Sequence, residues 1–537
     1  MKKMYKDIRS IEKWYNSKVD SLTTNEINFC TLESLTPQKI KEAIKDHYYD
    51  ITDNNLPQEI KQHYINYPHP IKETDADDQR LIYIILFVID HILTSSIYNK
   101  KSFDKESSSV NVSTKALRKL YNDGTYVKHV TDVARAAHIL HLASEYVHTP
   151  DQKESRKYMI HPKHLCKVDN PLEIVPCTHK GTAKNILKFR KNSNKPKESK
   201  PKEPEHNATT NKIILTSLYN IFHLKVDYNA ALSVLRNNYR NDLNNSSSTP
   251  TPDNNDQEVE LMPKINMRYY YGLASLKKVS SDNIMDKYVK FDESGRIHSN
   301  LTNFPKAMRK HLYFDGCNEP LMMIDMGNAQ PFLLVNLIMK YLSKERGIKI
   351  TTRKQLERYC NKKGYSDVMK YVKVVENSNF YKECYRLHRG NKLLKDISAK
   401  DKEMVREMIY TAVLFGDGKT KWKAAIKLGL AFGRKYHTVM KVINHYRNDD
   451  PKNLSDKLQL EESKLFINNI LNKLAVSEKK FYVLSLHDGL IFPESYTDNV
   501  ISKFEKAYAK SGFMIKLKID DLATGERRIV TINERSN

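Results

Sequence analysis

The chain has few of the features that mark secreted or membrane-spanning proteins. Its 537 residues include only six cysteines, which are scattered along the sequence and do not suggest a disulfide framework. The longest apolar run, residues 81–89, stops at Asp90 and is far shorter than the ~20 residues that span a bilayer. The N-terminal sequence Met-Lys-Lys-Met-Tyr-Lys lacks the apolar core of a secretory signal. We therefore expect a reduced, cytoplasmic protein with no membrane partner.

Acidic residues are also fewer than basic ones. The chain has 89 Lys and Arg residues against 64 Asp and Glu residues, a formal net charge of +25. A positive field of this size most often serves a polyanionic partner, so nucleic acid is the leading candidate and a membrane surface the alternative. Abundant Asn, Lys, Ile and Tyr also accompany A/T-rich genomes, which accounts for part of this charge. A chain of this length is expected to form about two to four domains.

Two segments with little to bury divide the chain. The first is rich in Pro, Lys and Glu and follows Phe189, and the second, residues 241–258, is rich in Asn, Ser, Thr, Pro and Asp. Both compositions predict mobile linkers or loops. The predicted division is a helical N-terminal region (1–75), a nucleic-acid-binding domain (76–180), a basic flexible linker (181–210), a helix with a disordered loop (211–260) and a C-terminal body (261–537).

The second of these regions has the pattern of a winged-helix domain. Helices are predicted at 81–98, at 114–122 and from about 126, and they precede a hairpin at 146–160 with a polar, basic tip. This order of helix, helix-turn-helix and wing suits DNA binding. The basic residues available for phosphates are Lys128, His129, Arg135, Lys153, Arg156 and Lys157. The alternative is a small helical domain with a solvated basic face.

A cluster of histidine and cysteine residues follows this region. His161, His164, Cys166, Cys177 and His179 fall close together in the sequence, and such residues can close a tetrahedral zinc site. Their spacing fits no common ligand pattern. We therefore interpret the cluster as incidental.

Two aspartates each lie where an apolar run ends. Asp325 ends the run Leu-Met-Met-Ile and is followed by Met-Gly-Asn-Ala-Gln, whereas His487-Asp488-Gly489 sits between two apolar stretches and reads as strand, tight turn, strand. Two carboxylates at strand ends could hold two magnesium ions about 3.5–4 Å apart, as an in-line phosphoryl displacement requires. The alternatives are a helix N-cap for Asp325 and a surface hairpin for His487-Asp488.

A helix with a basic face lies between the two aspartates. The segment 398–416 begins with a Ser-x-x-Asp cap and ends at a glycine. A helix of this length places Lys402, Arg406 and Tyr410 on one face. Two cations there can hold a triphosphate, and the ring can support a base. The alternative is an ordinary amphipathic helix with a solvated basic face.

These motifs occur in a characteristic order. The stretch 295–312, with Arg296, a Thr-Asn-Phe-Pro string and Arg309, precedes Asp325 and then His487-Asp488. This order resembles the palm of the DNA polymerase I family, which shares its palm with the single-subunit phage RNA polymerases. The resemblance is strongest to a compact group known mostly from bacterial mobile elements and phages, and it covers residues 265–537, about half of the chain.

The resemblance implies an α+β multidomain fold, in which a helical and winged-helix N-terminal region precedes a right-hand polymerase. That polymerase would have an antiparallel palm sheet, helical fingers and a small thumb at about 211–240. Asp325 and Asp488 would be catalytic and ligate two Mg²⁺ ions, for which Mn²⁺ is a substitute, and the carbonyl of Met326 would ligate one of them. His487, the third catalytic residue, would contact the primer end.

The same resemblance implies a nucleotide site. Lys402 and Arg406 would grip the triphosphate, Tyr410 would support the base, and Gln330 would pack beneath the sugar. Arg296 and Arg309 would hold the template-primer and the nucleotide's phosphates. Two positions depart from the family: Gln330 replaces a glutamate, which leaves the choice of sugar open, and Arg406 replaces a lysine and cannot readily give up a proton.

The sequence thus predicts a template-directed DNA polymerase without a proofreading exonuclease, whose partners are a DNA template-primer and nucleoside triphosphates. One alternative is an RNA-synthesising or template-independent polymerase that uses the same site. Another is a replication-initiator or regulatory DNA-binding protein whose polymerase half is catalytically degenerate. Template type, priming mode, biological role (element replication, repair or anti-phage defence) and protein partners stay open.

Overall fold

A computed structural model describes residues 8–21, 23, 27–48, 76–98, 103–104, 109–111, 124–144, 147–149, 152–154, 157–165, 172–194, 206–247, 255–292, 294–390, 397–416, 420–448, 451–477, 482–486 and 489–533. Three predicted site residues, Arg156, His487 and Asp488, lie outside these ranges. The described chain is mostly helical, with small antiparallel sheets.

The N-terminal part mixes helices with short strands. Its helices are α1 Ile8–Asp20, α2 Pro37–Tyr48, α3 Ala76–Tyr98, α4 Gly124–Ala136, α5 Pro162–Leu165 and α6 Lys180–Asn194. Its strands are β1 Asn28–Leu32, β2 Phe103–Asp104, β3 Ser109–Asn111, β4 Leu140–Ser144, β5 Val147–Thr149, β6 Gln152–Glu154, β7 Lys157–Ile160 and β8 Leu172–Pro176. Strand β1 pairs with β8, β5 pairs with β6, and a four-stranded sheet has the order β2-β3-β7-β4.

Parts of the predicted winged-helix pattern fall on described residues. Helix α3 covers the first predicted helix, and α4 begins at Gly124, close to the predicted start of the third. The second predicted helix and the residues between β5 and β6 lie outside the described ranges. The hairpin region contains two separate pairings, since β5 pairs with β6 whereas β7 pairs with β3 and β4. The winged-helix assignment stays a prediction.

The middle of the chain corrects both predicted flexible segments. Helix α6 runs to Asn194, and the next elements are α7 His206–His223, β9 Leu224–Val226, α8 Tyr228–Ser247 and α9 Asn255–Ser280. The linker predicted at 181–210 and the loop predicted from 241 are therefore wrong where these helices extend into them. The polar composition misled because contacts between helices stabilise them: the rings of Tyr239 and Tyr269 stack with centroids 4.5 Å apart, and Arg268 pairs with Asp242 at 2.9 Å.

The C-terminal part contains the largest described sheet. Its strands are β10 Val289–Phe291, β11 Ile297–Ser299, β12 Leu312–Phe314, β13 Leu321–Met326, β14 Leu484–Leu486, β15 Gly489–Pro493, β16 Ile515–Asp521 and β17 Arg527–Ile532. Five of them form one sheet in the order β14-β15-β13-β16-β17, and every pairing in it is antiparallel. Strand β13 therefore lies in the centre, with a paired neighbour on each side.

Helices follow and cover this sheet. They are α10 Ala329–Arg346, α11 Arg353–Lys363, α12 Ser366–Glu376, α13 Phe380–His388, α14 Ala399–Ile409, α15 Lys423–Lys435, α16 His437–Arg447, α17 Pro451–Ser463, α18 Asn472–Ser477 and α19 Thr497–Tyr508. Two segments, Tyr410–Leu414 and Lys464–Leu471, are π-helical. None of the helices within the described ranges is long and apolar enough to cross a bilayer.

One hydrophobic core crosses the predicted domain boundaries. Phe29 on β1 and Leu86 on α3 belong to the same buried cluster as Met267 on α9, Phe314 on β12 and Leu486 on β14. Apolar burial is the dominant stabilising term in folding, so the N-terminal strands and helices are packed as part of the larger body. The predicted division into five segments stays a prediction.

Candidate active site in the central sheet

Asp325 lies at the centre of the five-stranded sheet. It pairs with Gly489 on β15 and with Lys518 on β16. Side chains of residues directly opposite in an antiparallel pair project from the same face of the sheet. The side chains of Asp325 and Lys518 therefore share one face, and Gly489 places no side chain beside them. Helix α10 begins at Ala329 with Asn328 as its N-cap residue. The alternative in which Asp325 caps a helix is therefore wrong.

Gly489 is required by close packing of the strands. A Cβ atom at this position would lie 2.6 Å from the carbonyl oxygen of Ile324, a distance that real Cβ atoms do not adopt. A glycine thus lets β15 approach β13 next to Asp325. Leu486 and Gly489 are paired ends of β14 and β15, and the two residues between them in sequence, His487 and Asp488, lie outside the described ranges.

Gly327 is confined in a similar way, two residues after Asp325. Its N–H donates to the carbonyl of Lys516 at 3.0 Å, and a Cβ atom here would lie 2.9 Å from Ser378 Oγ. The next residue, Asn328, has a φ of 57° and turns the chain into α10. A glycine therefore allows the chain to pass close to Ser378 and to β16 at this point.

Several cations surround Asp325. Burial lowers the pKa of Lys402, the positive charges of Lys518 and Arg527 lower it further, and the carboxylate of Asp325 acts in the opposite direction. Lys518, Arg527 and Asp325 therefore lie within electrostatic range of Lys402. Arg527 forks onto Asp520 with distances of 2.5 and 2.7 Å. The face of the sheet that carries Asp325 is thus rich in positive charge.

Helix α14 begins as its sequence predicts but ends differently. Ser398 Oγ accepts from the N–H of Asp401 at 3.0 Å, which confirms the cap. After Ile409 the chain forms a π-helical turn, in which Phe415 N–H donates to the carbonyl of Tyr410 at 2.7 Å. The prediction of one regular helix from 398 to 416 is therefore wrong from Tyr410 onward, because the turn widens there.

The three predicted residues of this helix gather around Tyr381, which the sequence analysis missed. Lys402 Nζ lies 5.9 Å from the centre of the Tyr381 ring, and the Tyr381 hydroxyl lies 3.2 Å from that of Tyr410. The Arg406 guanidinium lies 5.5 Å from the centre of the Tyr410 ring and 3.3 Å from Glu403. Burial raises the pKa of Tyr381. Tyr381 thus links the residues that were predicted to bind nucleotide.

A second cluster joins Gln330 to Arg296 through a residue that the sequence analysis also missed. Gln330 Nε2 donates to Glu462 Oε2, and Arg296 donates to the same oxygen at 2.7 Å. Glu462 is 1% exposed and lies in the last turn of α17. No motif in the sequence distinguishes Glu462 from Glu461, whose carboxylate instead pairs with the half-exposed Lys340.

A short hairpin presents Arg296 to Glu462. Between β10 and β11, Asp292 Oδ1 accepts from the N–H groups of Ser294 and Arg296 at 2.9 and 3.0 Å. Burial by itself would raise the pKa of Asp292, but hydrogen bonds from His298, Ser294 and the Arg296 amide lower it. Gly295 has a φ of 76°, and a Cβ atom on it would lie 3.4 Å from Ser463. The turn therefore fits against the end of α17.

The other predicted contacts to nucleic acid remain apart from these clusters. Arg309 donates to the carbonyl of Phe304 at 3.3 and 3.2 Å, and burial lowers its pKa. Arg135 lies 3.7 Å from Asp132 within α4. Lys128 and Lys157 lie on α4 and β7 by their backbone, whereas Arg156 is outside the described ranges. Their contacts with nucleic acid stay predictions.

The donor atoms at Asp325 are of the kind that Mg²⁺ prefers. A carboxylate and the main-chain carbonyl of Met326 both offer oxygen. No group of three or more His, Cys, Asp and Glu side chains in the described part of the chain is arranged to hold a metal ion. That search includes the described members of the His and Cys cluster, of which His164 lies 3.1 Å from Ser34 Oγ. A magnesium site at Asp325 therefore needs a second carboxylate.

Comparisons with known proteins show structural similarity without any sequence match. No protein-family model matches the chain, and no curated protein matches it. The chain is similar to the POL domain of Pol1 from M. smegmatis, solved in complex with DNA primer-template and dNTP. The similarity covers 65% of this chain and 74% of that chain, with 10% sequence identity and a TM-score of 0.40.

Proposed function

We propose that the chain is a nucleotidyltransferase, specifically a template-directed DNA polymerase. The observation that supports this most is the pairing of Asp325 with Gly489 in the centre of an antiparallel sheet. Gly489 follows Asp488 directly in the sequence. The two aspartates that the sequence singled out thus come from chain segments that the sheet joins at this point.

In this proposal Asp325 and Asp488 hold two Mg²⁺ ions, with the carbonyl of Met326 on one of them, and Mn²⁺ can substitute. When bound, such ions activate the primer hydroxyl and stabilise charge at the phosphorus. Lys518, opposite Asp325 on the same sheet face, offsets the carboxylate's charge while no metal is bound. His487 would contact the primer end.

The cations near Asp325 would bind the triphosphate. Lys518 and Arg527 lie in electrostatic range of Lys402, and Arg406 follows Lys402 one turn later on α14. Charge-assisted hydrogen bonds from such groups are the usual way to hold phosphates. Burial and nearby positive charges lower the pKa of Lys402. Its Nζ would therefore give a proton to the leaving pyrophosphate more readily than Arg406, whose guanidinium stays protonated.

Gln330 and Arg296 would lie on the sugar and minor-groove side. Their shared partner Glu462 fixes both side chains. A side chain held by a buried partner keeps one orientation, which is what a residue that selects substrates by shape requires. The carboxamide of Gln330 would thus pack beneath the sugar with Glu462 as its positioning residue.

The test is extension of a labelled primer on DNA and RNA templates, and without template, with magnesium and either dNTPs or rNTPs. We expect template-directed dNTP incorporation by the native protein. Asp325→Asn and Asp488→Asn should each reduce it by at least about 100-fold, the scale of losing a charge-stabilising group at a reacting centre. Asp498→Asn, an exposed aspartate on α19, is the matched control and should keep full activity.

Each of the other outcomes would assign a different function to the protein. Incorporation of rNTPs alone, or synthesis without template, would replace the proposal with an RNA-synthesising or template-independent polymerase. Absence of synthesis by the native protein under every condition, with DNA binding retained, would contradict the proposal in favour of a degenerate DNA-binding protein. Equal activity in all variants would remove the two aspartates from the mechanism.

A further inference from the structure

Three large apolar side chains lie on the outer face of α15. Trp422, Ile426 and Leu430 follow one another at four-residue intervals, so they project from one side of the helix. Their exposed fractions are 38%, 41% and 59%. We call these three residues the α15 stripe. The helix does not need them for packing, because its other side supplies the fully buried residues Ala425, Leu428 and Phe432.

The α15 stripe lies in strongly basic surroundings. The segment 419–435 contains six Lys and Arg residues and no acidic residue. Lys421, Lys423, Lys427 and Arg434 are exposed. Burial lowers the pKa of His388, and so do the positive charges of Arg389 and Lys427. Arg389, at the end of α13, and Lys427, on α15, therefore both lie near His388 and contribute positive charge to the same surface. Apolar and positive groups thus alternate along the exposed face.

We propose that single-stranded nucleic acid binds along the α15 stripe. A single strand suits this alternation, because its bases stack on aromatic and apolar side chains while its phosphates pair with lysines. The stripe is about 12 Å long at 1.5 Å per residue, or roughly three stacked nucleotides at about 3.4 Å each. Glu383 on α13 pairs with Lys435, and the exposed Lys421, Lys423, Lys427 and Arg434 leave a positive surface that favours a polyanionic partner.

A membrane surface fits this face less well. A helix that lies in a bilayer interface buries its broad apolar face in lipid, whereas the broad apolar face of α15 is packed inside the protein. The stripe that remains has exposed lysines at Lys423 and Lys427 beside it. Binding to a single strand also needs no catalysis, so this inference stands independently of the proposed polymerase activity.

The distribution of tryptophan allows a direct test. The chain has two tryptophans, and the other, Trp14, is buried against Tyr219 and Phe222. In a Trp14→Phe protein the emission comes from Trp422 alone. We expect a single strand of about twelve thymidines to quench it saturably, in the absence of nucleotides, because the bases stack on the indole. No quenching by the strand overturns the proposal, and so does a response to anionic phosphatidylserine vesicles alone.

Charge-reversal variants separate this surface from general positive charge. Lys423→Glu with Lys427→Glu should weaken binding of a labelled single strand by at least about tenfold, measured by fluorescence anisotropy. Lys362→Glu with Lys363→Glu, on the exposed end of α11, makes the same change in net charge and should weaken it less than about threefold. Equal weakening by both pairs overturns the proposal, because the strand then responds only to net charge.

A further variant tests stacking without changing charge. Trp422→Ala in the native background should weaken single-strand binding about tenfold, and circular dichroism should show that this variant is folded under the conditions of the binding measurement. All of these measurements can be made on an Asp325→Asn background. Absence of extension by the native protein, with single-strand binding intact, would contradict only the proposed function, whereas extension by the native protein with unchanged binding in every α15 variant would contradict only this inference.

Discussion

Glu462 is a single buried carboxylate on which two distant side chains depend. Arg296 reaches it from the β10–β11 hairpin and Gln330 from the first turn of α10. A buried ion pair adds little net stability over an apolar replacement, but loss of one partner leaves the other charge buried and uncompensated. Replacement of Glu462 therefore affects both of its partners at once.

We expect Glu462→Ala to lower the free energy of unfolding by about 3–5 kcal/mol, because it leaves Arg296 without its counter-charge and Gln330 without its acceptor. Urea unfolding followed by circular dichroism measures the loss. Glu461→Ala is the matched control, since the neighbouring carboxylate pairs with the half-exposed Lys340 and should cost about 1 kcal/mol or less. Equal losses in the two variants would show that the cluster with Arg296 and Gln330 has no special role.

The sequence was sufficient for some of these residues and not for others. Asp325, Gln330 and Arg296 were selected because their neighbours in the sequence form recognisable strings. Glu462 and Tyr381 have no such neighbours, and their roles come from packing between chain segments far apart in sequence. Contacts between side chains that are far apart in sequence are not visible in a local sequence pattern. The sequence without the structure therefore could not identify Glu462 and Tyr381.

At the scale of elements, the end of α9 is capped by a buried lysine. Lys287 Nζ donates to the carbonyls of Val279 and Lys278 at 2.7 and 3.4 Å, which lie in the last turn of the helix. The last carbonyls of a helix lack an N–H partner from a following turn as a rule, and a lysine side chain can satisfy them. Burial, together with the nearby charge of Lys225, lowers the pKa of Lys287 from its ordinary 10.5 to about 7.

This lysine should make stability depend on pH. Between about pH 7 and pH 10 the unfolded chain keeps the Lys287 proton while the folded chain loses it, so the free energy of unfolding rises with pH in this window. We expect the native protein to gain about 2–3 kcal/mol relative to Lys287→Met between about pH 7 and pH 9.5. Urea unfolding of both proteins at the two pH values measures this gain. A constant difference between them would mean that Lys287 titrates normally.

Local patterns predicted where elements begin better than how they continue. The Ser398 cap and the strand that carries Asp325 are both present, and this strand ends one residue later, at Met326. The π-helical turn after Ile409 and the helices that extend into the polar segments were missed. Caps and apolar runs act over a few residues, whereas these features depend on contacts with other helices, such as the stacking of Tyr239 on Tyr269.

At the scale of the whole molecule, the formal net charge of +25 acts on folding and on binding in opposite directions. Like charges repel one another within the folded protein, and added salt screens this repulsion. The same charge attracts nucleic acid, and salt weakens that attraction because counterions compete for the phosphates.

We therefore expect opposite responses to sodium chloride. Affinity for duplex DNA of arbitrary sequence should fall by at least about 100-fold between about 0.05 and 0.2 M salt, whereas the midpoint of thermal unfolding should rise over the same range. Anisotropy of a labelled duplex and differential scanning calorimetry give the two trends. A DNA affinity insensitive to salt would exclude phosphate contacts as its main source.

The central position of β13 also has a consequence during synthesis of the protein. The partners of this strand, β15 and β16, are translated long after it, and all the helices from α10 to α18 come between β13 and the first of them. A nascent chain therefore carries β13 with two open edges while those helices leave the ribosome, and pairing across so long a separation is slow. Open edges of this kind invite pairing with other chains. The segment around Asp325 is thus exposed to such pairing until β15 and β16 have been made.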